Sequence, residues 1–434
     1  MAVSLATIVA AGSAAGAETS QRFPPPDFES SYRPPPLEQP PPRAGAMQYA
    51  DAAALLAAMG FGAYFLLRRR SRFGVAAVSL ASLAYFGFYR HGCVCSVGAV
   101  QNVALGLADG SFPVPWPVVF FFAVPLLFSL FFGRVFCGAA CPLGAIQDIV
   151  LLRPVRVPRW LDAALSTVPY IYLALAVLLA ATGSMFAVCR YDPFVPFFRL
   201  AGPLNMFLAG AAFIMAGVFV GRPYCRYLCP YGAILSLTSR LTWKKVTVTP
   251  DECVTCRLCD EACPYGCISG PVEAAEDGRR LSGAGRLAAA ALLLAVFPLA
   301  SAAAGWFAGP GLARMNRAVA LADKLAAAEA GESGGDEEVM AFRSSGADPM
   351  TLRLRAAEVE SRFRWGTAAA AGLCALAIAL KFAWSARKVR KTEYEVDQSA
   401  CLSCGRCYKY CPVERLRWKE GGGQVGDVSG GRAS

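Results

Sequence analysis

Two copies of one cysteine pattern constrain this chain more than anything else in it. Cys253-Val-Thr-Cys256-Arg-Leu-Cys259-Asp-Glu-Ala-Cys263-Pro264 and Cys401-Leu-Ser-Cys404-Gly-Arg-Cys407-Tyr-Lys-Tyr-Cys411-Pro412 both read C-x2-C-x2-C-x3-C-P. Three thiolates at this spacing wrap one 4Fe–4S cubane corner by corner. The fourth, followed by proline, turns away and ligates the other cluster. Two full copies therefore call for two 4Fe–4S clusters with exchanged fourth ligands. Cys253, Cys256, Cys259 and Cys411 form one set; Cys401, Cys404, Cys407 and Cys263 form the other. A pair of zinc sites or a disulfide framework are the competing readings, but zinc ribbons rarely repeat this run.

The segment between the copies contains two strongly apolar stretches, 287–307 and 366–384, each long enough to cross a bilayer as a helix. Two crossings return the chain to its starting side, so the two halves can still meet. Long loops are cheap to close, at roughly 0.6 kcal/mol per doubling of length. Five more apolar stretches precede them, at 50–67, 74–89, 117–135, 168–188 and 203–220. With 56% hydrophobic and 17% charged residues, the chain reads as an integral membrane protein. The expected fold is mainly α, a polytopic bundle of about seven spans with a split 2×(4Fe–4S) ferredoxin-like domain of small α+β type.

The formal charge of +11 raises a nucleic-acid reading, but its distribution argues against one. Arg68, Arg69, Arg70, Arg72, Arg134, Arg153, Arg156, Arg159, Arg222, Arg226, Arg240, Lys244, Lys245, Arg279, Arg280 and the basic residues of 387–391 fall on one face if the first span runs outside to inside. That is the positive-inside pattern of a bacterial inner membrane, and it places both cysteine runs in the cytoplasm. Residues 1–17 read as a signal peptide ending in small residues, and 18–49 as a proline-rich periplasmic tether. The membrane domain covers 50–240 and the first ferredoxin half 241–285. A transmembrane helix at 286–308, a periplasmic helical hairpin at 309–365 and a second transmembrane helix at 366–386 follow. The second ferredoxin half covers 387–420, and 421–434 reads as a disordered tail. The hairpin divides into helices at 312–330 and 350–364, and a solvated hairpin is preferred over a docking element.

Within the membrane domain, a second motif repeats at an interval of 88 residues. Phe131-Phe-Gly-Arg-Val-Phe-Cys137-Gly-Ala-Ala-Cys141-Pro-Leu-Gly144-Ala-Ile matches Phe219-Val-Gly-Arg-Pro-Tyr-Cys225-Arg-Tyr-Leu-Cys229-Pro-Tyr-Gly232-Ala-Ile. Duplicated elements commonly pack about a pseudo-two-fold axis with a site between them. Cys137, Cys141, Cys225 and Cys229 would then converge as a ligand set for one further intramembrane iron–sulfur centre. A redox-active dithiol and plain packing cysteines are the alternatives. A weaker copy, Cys95-Ser-Val-Gly-Ala-Val-Gln101, aligns with Cys141-Pro-Leu-Gly-Ala-Ile-Gln147 and falls on the outer face. His91, Cys93, Cys95 and Cys189 could make a second intramembrane centre there. A structural role for His91 and a disulfide on the oxidising side are the rivals. Cys374 reads as core packing and Cys267 as a spare. No acid–base or nucleophile constellation appears, so no catalytic residue is assigned.

The paired C-x3-C-P-x-G-A elements, with the ferredoxin runs on the cytoplasmic side, resemble the NosR/NapH-type membrane polyferredoxins. The resemblance covers about residues 50–270 and 398–412. It implies membrane electron transfer serving a periplasmic partner, from a cytoplasmic electron donor or quinol to a separate periplasmic flavoprotein or redox enzyme. A role as quinol dehydrogenase subunit, or as a maturation or redox-regulatory factor, is the alternative. NosR proteins carry a large periplasmic flavin-binding domain, whereas no flavin-attachment motif stands in this sequence.

Overall fold

The fold is known from a computed structural model, which describes residues 45–92, 95–248, 253–271, 292–331, 336–385 and 394–420. The expected signal peptide, nearly all of the tether, the tail, Cys93, Arg279, Arg280 and the basic run near 387–391 lie outside the described residues. The chain is mostly helical. Five helices are long and apolar enough to cross a membrane, at Gly45–Arg68, Arg72–Tyr89, Trp160–Ala181, Leu294–Ala313 and Pro349–Leu380. Three shorter apolar helices accompany them, at Ser96–Ala108, Trp116–Phe132 and Leu204–Phe219. The sequence pattern counts seven spans; the stretches at 117–135 and 203–220 are helical over only 17 and 16 residues.

The first two helices, α1 (Gly45–Ala63) and α2 (Arg72–Ser82), each run on into a π-helical turn. They are clamped at their far ends. Asp51 is buried near the start of α1 and accepts from Arg90 at 2.5 Å and from Tyr85 at 3.0 Å. A carboxylate this deep is tolerated only with such partners. Behind them pack α3 (Ser96–Ala108), α4 (Trp116–Phe132), α5 (Pro142–Ile149), α6 (Val168–Ala181), α7 (Leu204–Phe219) and α8 (Pro230–Thr238). α5 and α8 each start on a Cys-Pro step. Proline at the first helical position loses no hydrogen bond there, so the helix begins where the cysteine ends.

The insert between the ferredoxin halves pairs α9 (Phe297–Ala313) with α10 (Pro349–Ser385). Gly305 and Gly309 lie one turn apart on α9. A Cβ on Gly305 would stand 2.5 Å from the Thr367 carbonyl, and one on Gly309 would stand 2.7 Å from Cα of Arg364. Thr367 Oγ1 donates across to the Gly305 carbonyl at 2.8 Å. This close backbone approach at a G-x-x-x-G step is how helices associate in lipid, where apolar burial supplies no drive. The helix expected at 350–364 and the span after it are one continuous 37-residue helix. The base of the hairpin docks rather than standing free: Ala313, Val319, Ala356 and Phe363 pack on Leu178, Leu179 and Ala187, and Asn316 donates to Ser184 at 3.0 Å. A further short helix, Glu337–Ser344, was not legible from the sequence pattern.

The two ferredoxin halves meet in a two-stranded antiparallel ladder. β1 (Ile268–Ser269) pairs with β2 (Glu395–Val396), with Ile268 opposite Val396 and Ser269 opposite Glu395. The helix Leu258–Glu261 packs against Arg406–Tyr410, so the cysteine runs face each other across the ladder.

Candidate iron–sulfur sites

The ferredoxin cysteines fall into two neighbourhoods. Cys253 and Cys256 both lie within electrostatic range of Cys259. Cys411 ends the helix Arg406–Tyr410 that packs on the helix carrying Cys259. The second neighbourhood encloses a cavity of about 20 Å³ lined by Cys263, Cys401, Cys404 and Cys407, together with Cys267. Burial pushes the Cys404 thiol up to about 11, with the Asp148 carboxylate adding to the effect. The hydrogen bond from Cys267 works the other way on Cys263 and favours its thiolate.

In the membrane domain, Cys137, Cys141, Cys225 and Cys229 are all buried and belong to one core cluster. Cys141 feels the charge of the other three. The two repeats cross-brace. Arg134 of the first donates to the Gly232 carbonyl of the second at 3.3 Å and reaches Cys137 Sγ at 3.9 Å. Its counterpart Arg222, wholly buried, donates to the Cys137 carbonyl of the first repeat. Nε of both arginines finds no hydrogen-bond partner among the described residues. Two orphaned cationic donors beside four thiols are the donor chemistry that a thiolate-bound, sulfide-bearing cluster calls for. Among the described residues, no group of three or more His, Cys, Asp or Glu side chains is set to cage a single metal ion.

Glutamines complete both cysteine groups, a role the aligned sequence positions hint at and only the fold makes plain. Gln147 donates to Cys225 Sγ at 3.4 Å and accepts from the amide of Tyr224 at 3.0 Å. Gln101 repeats both bonds in the group of Cys95 and Cys189, donating to Cys189 Sγ at 3.6 Å and accepting from the amide of Val188 at 2.5 Å. Each glutamine thus holds a cysteine by its sulfur and by the preceding peptide. Cys95 lies within electrostatic range of Cys189 and Asp192. It also lines a cavity of about 30 Å³ shared with Cys141 and Asp192. His91 stands apart: it is exposed, and its Nδ1 lies 3.3 Å from the Phe198 carbonyl. Cys374 sits in α10, remote from both groups in sequence and half-buried.

The ferredoxin domain is seated on the repeats by direct bonds. Arg134 donates to the Ser399 carbonyl at 3.0 Å, and Ser236 donates to the same oxygen at 3.0 Å. Arg72 donates to the Cys404 carbonyl at 2.7 Å and to Asp148 at 2.5 Å. Asp148 also faces Arg222 at 3.4 Å and Arg406 at 3.3 Å. Burial alone would raise this carboxyl; the three guanidiniums outweigh it and hold it at about 2. At Gly138, between Cys137 and Cys141, a Cβ would stand 2.4 Å from the Ser403 carbonyl and 2.9 Å from that of Leu402. The cysteine loop of the ferredoxin half therefore rests on the backbone of the membrane cysteine turn.

Comparison with known proteins agrees with this chemistry. A family described as 4Fe-4S binding domain matches residues 114–159 and 201–249, the two membrane repeats, and a second family of the same description matches 394–414. The matched domains and the apolar helices are those of an iron–sulfur membrane protein. Protein NirI of Paracoccus denitrificans is 31% identical over 236 residues, 49% of this chain and 34% of its own length. Regulatory protein NosR of Pseudomonas aeruginosa is 32% identical over 243 residues, 48% of this chain and 32% of its own length. Methylamine utilization ferredoxin-type protein MauN of Paracoccus denitrificans is 27% identical over 172 residues, 34% of this chain and 56% of its own length. The chain thus spans between a third and just over half of these relatives. No solved structure matches. The chain is similar to the NosR/NapH-type 4Fe–4S ferredoxin-like membrane proteins.

Proposed function

We propose that this protein conducts electrons across the bacterial inner membrane, from a cytoplasmic donor to a periplasmic flavin, haem or metal partner, with the ferredoxin domain on the cytoplasmic face. When bound, 4Fe–4S clusters take up and release single electrons. In this reading Cys253, Cys256, Cys259 and Cys411 hold one cluster, and Cys263, Cys401, Cys404 and Cys407 the second. Cys137, Cys141, Cys225 and Cys229 hold a third centre within the membrane domain. Arg134, Arg222 and Gln147 orient those thiols and supply hydrogen bonds that set the potential.

The observation that carries the reading is the contact of the ferredoxin loop with the Cys137–Cys141 turn, where Gly138 leaves no room for a side chain against Ser403. Electron tunnelling decays exponentially with distance, and a bilayer core of about 30 Å is too thick for one step. Cysteine groups at successive depths, from Cys401 through Cys141 to Cys95, shorten each step. With the inside negative, outward transfer gains about 2.3 kcal/mol per electron per 100 mV. The quinol-oxidising reading draws on the aromatic outer segment at 191–199. There Phe194 packs into the core, while Asp192, Val195 and Phe198 line the cavity shared with Cys95 and Cys141.

Anaerobic purification with iron quantitation and EPR tests the proposal. More iron is expected than the roughly eight atoms that two 4Fe–4S clusters require. Cys137→Ala and Cys225→Ala should each remove the excess, leave the ferredoxin signals, and stop transfer from a reduced cytoplasmic donor to an outer acceptor in proteoliposomes. A preparation with only eight irons, unchanged in both variants, would show that the quartet holds none.

A further inference from the structure

Cys267 lies outside the four-cysteine pattern yet inside the ferredoxin cavity. Its sulfur is 3.3 Å from that of Cys263, and it is in hydrogen-bonding contact with Cys401. It is buried. Its backbone is held as well: the Asp397 amide donates to the Cys267 carbonyl at 2.8 Å, and the β1–β2 ladder begins at the next residue. Cys267 is therefore pinned to the segment that carries Cys401. Five thiols, Cys263, Cys267, Cys401, Cys404 and Cys407, line a cavity where a cubane presents four iron corners. Two sulfurs in mutual contact cannot serve two separate corners; they compete for one.

We propose that Cys267 is a reserve ligand, so that either Cys263 or Cys267 holds the fourth iron of the cluster seated on Cys401, Cys404 and Cys407. The inference rests on the cluster reading above. Exchange breaks the bond from iron to the Cys263 sulfur and forms one to the Cys267 sulfur. The Cys267 proton passes to Cys263, so no electron is gained or lost. A buried thiol beside a cluster is ordinarily plain packing. This one differs because it touches one ligand at each side of the cavity and its backbone is fixed to the loop of the partner half.

The test compares Cys263→Ala, Cys267→Ala and the double variant in the full-length protein purified anaerobically. Iron content and EPR are the readouts, and the signal of the cluster at Cys253, Cys256, Cys259 and Cys411 reports the fold. Each single variant should keep the second cluster, with a changed EPR line shape in Cys263→Ala. The double variant should lose roughly four irons per chain, one 4Fe–4S cluster. Cys267→Val in the Cys263→Ala background, which refills part of the vacated volume, should show the same loss and so separate ligation from packing. A single variant that loses the cluster as fully as the double overturns the proposal, and so does a double variant that keeps it. Wild-type protein lacking this cluster would instead refute the underlying cluster reading, which keeps the two failures apart.

Discussion

Replacing Gly138 by alanine probes the seat of the ferredoxin domain with a single methyl group. The residue has no positive φ, so its backbone accepts alanine without conformational penalty. The effect is purely steric. The added Cβ would lie 2.4 Å from the Ser403 carbonyl oxygen and 2.9 Å from that of Leu402. An ordinary carbon–oxygen contact is about 3.3–3.6 Å. The loop must therefore retreat by about 1 Å, and backbone atoms on both sides leave no flexible side chain to absorb the shift. Overpacking of this kind costs about 1–3 kcal/mol, which would weaken docking of the loop by about 5- to 150-fold. Hydrogen exchange of the amides over 398–405 in the holoprotein reads the loosening directly. Stopped-flow oxidation of the pre-reduced ferredoxin clusters by an outer acceptor reads its consequence for transfer. Gly60→Ala is the control, since a Cβ there meets nothing within 4 Å. If Gly138→Ala exchanges and transfers like Gly60→Ala, the loop does not rest on the cysteine turn, and the short path between the two sites is wrong.

Gln147→Leu removes the donor to Cys225 and the acceptor for the Tyr224 amide, leaving buried polar groups at a cost of about 1–3 kcal/mol. Iron retention in the membrane domain should fall, and the midpoint potential of any remaining centre should shift in redox-monitored EPR; an unchanged potential would remove Gln147 from the site. Asp148 lies at about 2 against an ordinary value near 3.8, so its folded pKa is depressed. Its stabilisation, on the order of 2 kcal/mol, is full above pH 4 and lost as pH falls from about 4 towards 2. Asp148→Asn should abolish that acid-sensitive part of ferredoxin docking, measured by proteolysis between pH 3 and 7, while leaving neutral-pH docking weaker at every point. A cysteine introduced at exposed Ala330 should react with an impermeant reagent from the periplasmic side of spheroplasts. Labelling only after lysis would invert the orientation drawn from the basic residues.

Local covalent spacing made much of this protein legible in its sequence. The two C-x2-C-x2-C-x3-C-P runs and the 88-residue repeat are patterns of neighbours, and thiolate ligation depends first on such spacing. Apolar runs likewise announce helices for lipid, because the cost of unsatisfied backbone there leaves few other structures. Their number was less legible, since length as well as composition bears on a crossing, and the helices at Trp116–Phe132 and Leu204–Phe219 are shorter than the other five. Only the tertiary structure decided what lies between distant segments. It braces Arg134 and Arg222 across the repeat, seats Ser403 on Gly138, gives Gln101 and Gln147 the same pair of bonds, and sets Cys267 against Cys263 and Cys401. Aligned positions hint at the two arginines and the two glutamines, but no sequence signature gives their partners, because each contact pairs groups on different elements whose approach is set by packing. A cysteine four residues beyond a motif looks surplus in one dimension, and becomes a candidate ligand only when a strand pairing carries it beside the other half of the domain.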